Sequence, residues 1–121
     1  MAEVSELWNK FDKILGIPIG RQDSLKNTQM VLILHRLVEL KDPKAMVRLG
    51  VWYQSGCRGL PENKRQAVSL FKQAAILSYA EAMFELSICF MDGHGVNEDE
   101  AIARDWYQKT KDAGYPCASS L

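Results

Sequence analysis

The sequence predicts an all-α fold, a right-handed α/α superhelix (solenoid) of about three helical hairpins. Two observations predict it: a segment that recurs along the chain, and apolar residues spaced three and four apart. Residues 44–56 match residues 81–93 at an offset of 37, and the match continues at an offset of 36 from Gly59 and Gly95 onward. A period of this length is typical of stacked helical pairs.

The first helix is predicted at residues 3–15, where one apolar stripe recurs at helical spacing: Val4, Leu7, Trp8, Phe11, Ile14 and Leu15. Glycine and proline in residues 16–20 then break the helix. The second helix, residues 24–41, is apolar on more than one side, so we expect it to be buried between neighbours, with His35 in the core or at its boundary. Asp42 and Pro43 end this helix and begin the next.

Four more helices are predicted in the two matched hairpins, at residues 43–55, 63–77, 80–92 and 99–113. Gly56 and Gly93 end the first helix of each hairpin, because glycine reaches the left-handed conformation of a helix C-cap. Asn63 and Asp99 are the expected N-caps of the second helices. The expected core positions of the matched hairpins recur in both copies: Ala45, Leu49, Tyr53, Ala67, Leu70, Phe71, Ala74 and Ala75, then Ala82, Leu86, Phe90, Ala103, Trp106 and Tyr107.

The end of the stack is also visible in the pattern. Thr110 and Lys111 stand where the first copy has Ala74 and Ala75, and a charged residue at a former core position suits a terminal repeat. Ala118 restarts the pattern. We expect one domain, residues 1–121, with a degenerate hairpin at 1–42, a first repeat at 44–79 and a second at 80–116.

Composition excludes several classes of function. The net charge is zero and the pI is about 6.7, so nothing favours nucleic acid as a partner. No basic region followed by an apolar core opens the chain, and the longest apolar run, residues 30–34, is too short to cross a membrane. The three cysteines have no close pair, so we expect free thiols in a cytoplasmic protein.

Charge is unevenly distributed between the halves of the chain. Residues 1–60 hold nine Lys and Arg against six Asp and Glu, and residues 61–121 hold six against nine. Chance explains this, or a polar molecule that steers its partner or stacks head to tail. Separately, the sequence leaves open a homodimer through the exposed terminal helix.

Residues 44–118 resemble two Sel1-like repeats, a family related to the tetratricopeptide-type helical repeats. The first copy shows Leu49-Gly50, Tyr53 and Gly56, followed by the pair Ala74-Ala75, at the spacing of the family pattern. The second copy carries the same pattern in these residues: Ala82, Leu86, Phe90, Gly93-His94-Gly95-Val96, Asp99, Ala103, Trp106-Tyr107 and Gly114. Its departures are Ser87 for glycine and Thr110-Lys111 for the alanine pair, and the first copy has an extra residue at Cys57-Arg58.

The resemblance implies a non-enzymatic adaptor or scaffold that binds a protein partner. Some relatives are inhibitors or carriers of toxins and effectors, so the alternative is an immunity-type protein that blocks one enzyme. A single tight stoichiometric partner would favour the inhibitor, and several weak partners would favour the adaptor. Some secreted relatives have cysteines where this chain has Ala75 and Ala82, and that bridge is absent here.

Catalysis has one candidate, Cys89 as a nucleophile with His94 as its base, in a small hydrolase or redox enzyme. No third group that would orient His94 is evident, and a solvated loop histidine is the simpler interpretation. The acidic run of residues 98–100 is explained by the dipole of the helix that it begins. We expect no enzymatic activity, no cofactor and no metal.

The remaining candidate is a partner-binding groove lined by the first helices of the repeats, at positions that the repeat pattern leaves free. These positions are Arg48, Val51, Trp52 and Gln54, matched in the second copy by Glu85, Ile88, Cys89 and Met91. Trp52 is the favoured anchor, because tryptophan and arginine are enriched at interface centres. The alternative is that Trp52 packs against residues 24–41 and meets no partner.

Overall fold

A computed structural model describes residues 2–16 and 23–115, without the side chains of residues 23 and 24. Within these residues the fold is all-helical, as the periodicity predicts, and it contains six helices: α1 (Ala2–Leu15), α2 (Asp23–Glu39), α3 (Pro43–Ser55), α4 (Lys64–Ile76), α5 (Ala80–Asp92) and α6 (Glu100–Asp112). The predicted boundaries agree with these bounds to within two residues. Cys117 and Ala118 lie outside the described residues.

Side-chain caps fix where the helices begin. The side chain of Asp42 accepts a hydrogen bond from the backbone N–H of Lys44, and Pro43 occupies the first turn of α3, where a missing N–H costs nothing. Asn63 and Asp99 accept hydrogen bonds of 3.1 Å from backbone N–H groups three residues on, so both predicted N-caps are confirmed.

Glycine ends the first helix of each matched hairpin, also as predicted. Gly56 and Gly93 adopt φ angles of 67° and 73°, which the other L-amino acids rarely reach. After each turn the chain returns along its hairpin, with Asn63 N–H donating to Tyr53 O and Asp99 N–H donating to Phe90 O, both at 2.8 Å. The two hairpins therefore repeat their connections as well as their helices.

The hairpins stack in chain order into a solenoid. Each helix contacts the next, and α5 also contacts α3 across the stack. The first hairpin runs antiparallel, because Glu3 near the start of α1 forms an ion pair with Arg36 near the end of α2, with 2.9 Å between Oε1 and Nη2. Asp42 ties α1 to α3 by accepting a hydrogen bond from the Trp8 indole. The first helices α1, α3 and α5 consequently lie along one side of the stack.

The core follows the predicted alanine, leucine and aromatic positions, all of which are buried in the first repeat except the half-buried Tyr53. In the second repeat Trp106 and Tyr107 are half-buried, because no further helix covers them among the described residues. Thr110 is fully buried and its hydroxyl donates to Trp106 O at 2.8 Å. Lys111 is exposed, as expected at the end of a stack.

The prediction that α2 is buried between neighbours holds for the face with Met30, Leu34 and Leu37 but is wrong for the opposite face. The side chains of Leu25 and Leu32 are 56% and 63% exposed, and His35 is exposed as well. Within the described residues α2 packs mainly against α1 and α3, and its outer face meets solvent. Its apolar outer residues are therefore surface leucines rather than core.

Candidate functional site

Of the predicted binding residues on α3 and α5, the favoured anchor, Trp52, is buried. Trp52 is 7% exposed and stacks on Phe11 of α1, with ring centroids 5.9 Å apart and an interplanar angle of 28°. Trp8 completes this cluster by meeting Phe11 edge to face at 5.4 Å. The interpretation of Trp52 as an exposed anchor must be corrected, because its ring joins α3 to α1 in the core.

Two arginines cover this aromatic stack. The guanidinium carbon of Arg48 lies 5.4 Å from the centre of the Phe11 ring, and that of Arg58 lies 5.3 Å from the Trp52 ring. Cation–π contacts of this kind hold a charged group on an apolar surface. Arg48 was predicted as a binding residue, whereas Arg58 was missed. The signal for Arg58 was the one-residue insertion that lengthens the first loop relative to the second.

Cys89 is fully buried and does not fit the role of a nucleophile. Its Sγ lies 3.8 Å from Nε2 of Gln54. Burial, with smaller contributions from Glu85 and Asp92, raises the pKa of the thiol to about 11. A nucleophilic cysteine needs the opposite shift, because the thiolate is the reactive form. The backbones of His94 and Cys89 are hydrogen-bonded, with His94 N–H donating to Cys89 O at 2.9 Å.

Several polar side chains in and beside α3 and α5 are partly buried: Arg48, Tyr79, Glu81 and Glu85. Burial, and then the charge of Glu81, raises the pKa of the half-buried Glu85 carboxyl. The Tyr79 hydroxyl donates to Oε2 of Glu81 at 3.3 Å. Burial also raises the pKa of Tyr79, while the nearby positive charge of Arg48 acts in the opposite direction. Arg48 is thus close enough to Tyr79 to influence its pKa, and Glu81 is close enough to do the same to Tyr79 and Glu85.

Ile88 and Met91 lie on a different surface, a cleft between α5 and α6 at the end of the stack. The cleft encloses about 460 Å³ and is lined mainly by apolar side chains: Phe84, Ser87, Ile88, Met91, Ala103 and Tyr107, with Arg104 and Lys111 as its basic residues. Val51 and Gln54 occupy the matching positions of α3, where both are half-buried. The eight predicted residues therefore do not line one groove: Trp52 and Cys89 are buried in the core, and Ile88 and Met91 line the terminal cleft, which sequence reasoning did not anticipate.

Neither metal chemistry nor a membrane span has a candidate in the part of the chain that the structure describes. Residues 2–16 and 23–115 hold no group of three His, Cys, Asp or Glu side chains placed to bind a metal ion. Among the same residues, no helix combines the length and the apolar character that a bilayer crossing requires. Asp99, in the acidic run of residues 98–100, is used as a helix cap.

Comparison with known proteins gives a consistent result. The sequence model of the Sel1 repeat family matches residues 43–79 and 80–115, which together are more than half of the chain. Chitin synthase regulatory factor 3 of Schizosaccharomyces pombe is 31% identical over 84 residues, which are 69% of this chain. The chain spans only 9% of that much longer relative.

Solved structures share the solenoid. A Sel1 repeat protein from Oxalobacter formigenes superposes with a TM-score of 0.71 at 30% identity, over 74% of this chain and 26% of its own. A protective antigen of uropathogenic Escherichia coli with the SLR fold gives 0.70 at 27% identity, over 74% and 19%. Cysteine-rich protein B of Helicobacter pylori gives 0.74 over 98% and 93%, and at 18% identity it shows the shared fold alone.

Sel1 repeats are generally modules of protein–protein interaction rather than enzymes. Both matched segments coincide with a helical hairpin of the structure, α3 with α4 and α5 with α6. The repeat period, the hairpin geometry and the matched sequences agree, and the chain belongs to the Sel1 repeat family.

Proposed function

We propose that this protein is a non-enzymatic adaptor that holds a segment of a partner protein along the first-helix face. The observation that supports this proposal is the pair of half-buried charges at matched positions of the two repeats, Arg48 and Glu85. A repeat needs neither charge for its core, and partial burial makes both costlier than solvated surface charges. Complementary charges on a partner would offset that cost and select the partner.

The physical state of Glu85 indicates what the partner segment carries. Its carboxylate is partly desolvated and lies in the negative field of Glu81, which together raise its pKa. A lysine or arginine placed opposite Glu85 would relieve both effects. An acidic residue opposite Arg48 would complete a segment of mixed charge that binds in one orientation.

The other predicted residues have distinct roles in this proposal. Trp52 and Cys89 are buried, so they hold α1, α3 and α5 in register beneath the face. Val51 and Gln54 are half-buried between the repeats. The thiols of Cys57 and Cys89 are both free, as expected of a protein in the cytoplasm, where we place this adaptor.

Charge reversal at the two positions tests the proposal. The tagged full chain, the Arg48→Glu/Glu85→Lys variant and a matched control, Lys72→Glu/Asp105→Lys, are used to capture proteins from native extract. Both control residues are exposed on second helices and give the same change in net charge. We expect the wild type and the control to capture the same protein, and the variant to capture at least about tenfold less, a loss of about 1.4 kcal/mol.

Two outcomes would revise the proposal. Equal capture by all three proteins, with unchanged circular dichroism, would place binding away from the first-helix face. Capture of a single enzyme at one-to-one stoichiometry, with loss of that enzyme's activity, would favour the dedicated inhibitor over the adaptor.

A further inference from the structure

The loop that joins α3 to α4 packs differently from the matching loop between α5 and α6. In the second repeat the loop lies directly on the helix before it, because a methyl group at Gly95 would collide with the backbone oxygen of Lys64 in α4. In the first repeat a methyl group at Gly59, the counterpart of Gly95, would meet no described atom within 4 Å. The first loop, which is one residue longer, therefore has open space where the second loop has a contact.

A cavity of about 500 Å³ lies between this first loop and α2. Residues 58–60 line it from the loop, and Asn27, Val31 and Leu32 line it from α2. Asn27 stands 37 residues before Lys64, so this wall of the cavity corresponds to the part of α4 that the second loop touches. The volume is that of small-molecule sites, which measure about 300–1,000 Å³ and combine a mainly apolar lining with a few polar groups.

Arg58 gives this cavity its charge, since no acidic residue is among the described residues that line it. Its guanidinium carbon lies 5.3 Å from the centre of the buried Trp52 ring, a cation–π contact that holds the half-buried cation in place. None of the ion pairs formed among the described residues includes Arg58. An anionic ligand would supply the opposite charge.

The rest of the lining restricts the chemistry of that ligand. Val31 and Leu60 are half-buried and offer apolar surface to its body. The side chain of Asn27 forms no hydrogen bond with another described residue, and its amide can donate to an oxygen of the ligand. One cation matches a carboxylate better than a phosphate, because a phosphate carries a charge of about −1.5 to −2 and the lining has no second cation for it.

We propose that the cavity between α2 and the α3–α4 loop binds a small monocarboxylic acid with an apolar body. Arg58 holds the carboxylate, in the geometry that lets a guanidinium donate two parallel hydrogen bonds, and Val31 and Leu60 pack on the body. The site shares no lining residue with Arg48 and Glu85, so this proposal and the adaptor function stand or fail separately.

Octanoate and its uncharged analogue octanamide are the probes. Each is titrated into the ¹⁵N-labelled full chain, and two-dimensional NMR follows the N–H signals of Gly59 and Leu60. The charge variant is Arg58→Gly, which suits the φ angle of 58° at this position, and the filling variant is Asn27→Trp. The matched control, Lys72→Ala, removes the same charge from an exposed position of α4.

We expect octanoate to shift both signals with a Kd of about 1 mM or below, equal within about twofold in the wild type and the control. Octanamide should bind the wild type at least about tenfold more weakly. Arg58→Gly should weaken octanoate at least about tenfold and leave octanamide unchanged within about twofold, whereas Asn27→Trp should remove the binding of both. A variant that failed to fold would not spare the uncharged probe.

Three results would overturn the proposal. Unshifted Gly59 and Leu60 signals at about 10 mM octanoate would show that the cavity has no useful affinity for such an acid. Equal weakening of octanoate and octanamide by Arg58→Gly would show that Arg58 shapes the cavity instead of holding the carboxylate. Tighter binding of inorganic phosphate than of octanoate at the same signals would assign the site to a phosphate.

Discussion

Gly50 is a point of very close approach between α3 and α4, and replacing it with alanine tests how tightly the first hairpin is packed. A methyl group at Gly50 would lie 2.6 Å from Cε1 and 3.1 Å from Cδ1 of Phe71. Phe71 is fully buried, so its ring has no open space to enter, and overpacking of this kind costs about 1–3 kcal/mol. The higher helix propensity of alanine offsets about 1 kcal/mol of that cost.

We therefore expect Gly50→Ala to lower the free energy of unfolding by about 1 kcal/mol, and the melting temperature by about 4 °C. Urea unfolding followed by tryptophan fluorescence, with calorimetry, measures both. The control is the same substitution in a Phe71→Leu background, where the steric conflict is reduced and only the gain in helix propensity remains. If Gly50→Ala raised stability in the wild-type background, the helix propensity would outweigh the contact, and the argument from close packing would be refuted.

Three further predictions concern residues of α3 and α5. Trp52→Ala should lower the free energy of unfolding by about 3–5 kcal/mol, because it removes a buried ring stacked on Phe11. A loss below about 1 kcal/mol in urea unfolding would contradict that packing. Because the pKa of Glu85 is raised in the folded state, that state holds the proton more tightly than the unfolded chain, and stability should increase as the pH falls from neutral towards 4.5. Glu85→Gln should reduce this increase in urea unfolding at pH 7 and pH 5, and an unchanged increase would show that other groups cause it. Cys89 should react with iodoacetamide at neutral pH at least about tenfold more slowly than the half-buried Cys57. Peptide mapping measures both rates. Equal rates in the folded protein would disprove the burial and the raised pKa of Cys89.

Most of the fold was predictable because the residue pattern of a helical hairpin occurs twice in the sequence. Most residues that shape a hairpin recur in the second copy, such as Ala45 as Ala82, Leu49 as Leu86 and Gly56 as Gly93, so chance similarity at one position does not mislead. The predicted starts at residues 63 and 99 each differ from the structure by one residue, because Asn63 and Asp99 act as caps outside the helix. The core of α2 was mispredicted because this helix has no clear second copy for comparison.

The binding face was less predictable, and Trp52 shows why. Positions that differ between the repeats were interpreted as surface, yet Trp52 and its counterpart Cys89 are both buried. The two differ because their neighbours differ: Trp52 meets Phe11, and Cys89 meets Gln54. Phe11 lies in the segment that resembles the repeat only weakly, so no pattern in the sequence linked it to Trp52. A residue that differs between the repeats thus indicates different surroundings. Those surroundings are a binding surface at some positions and internal packing at others.

The helices at the two ends of the described stack, α1 and α6, differ in how much apolar surface they expose to water. A solenoid must end in helices whose outer faces tolerate water, because an uncovered repeat exposes the apolar surface that the next repeat would bury. α1 meets this requirement with a polar outer face. Among the described residues α6 exposes Arg104 and Lys111, and Ile88, Met91 and Tyr107 line the cleft beside it, where the Tyr115 ring packs on Phe84. Since apolar area left in water forgoes about 25 cal/mol per Å², covering this cleft would stabilise the molecule.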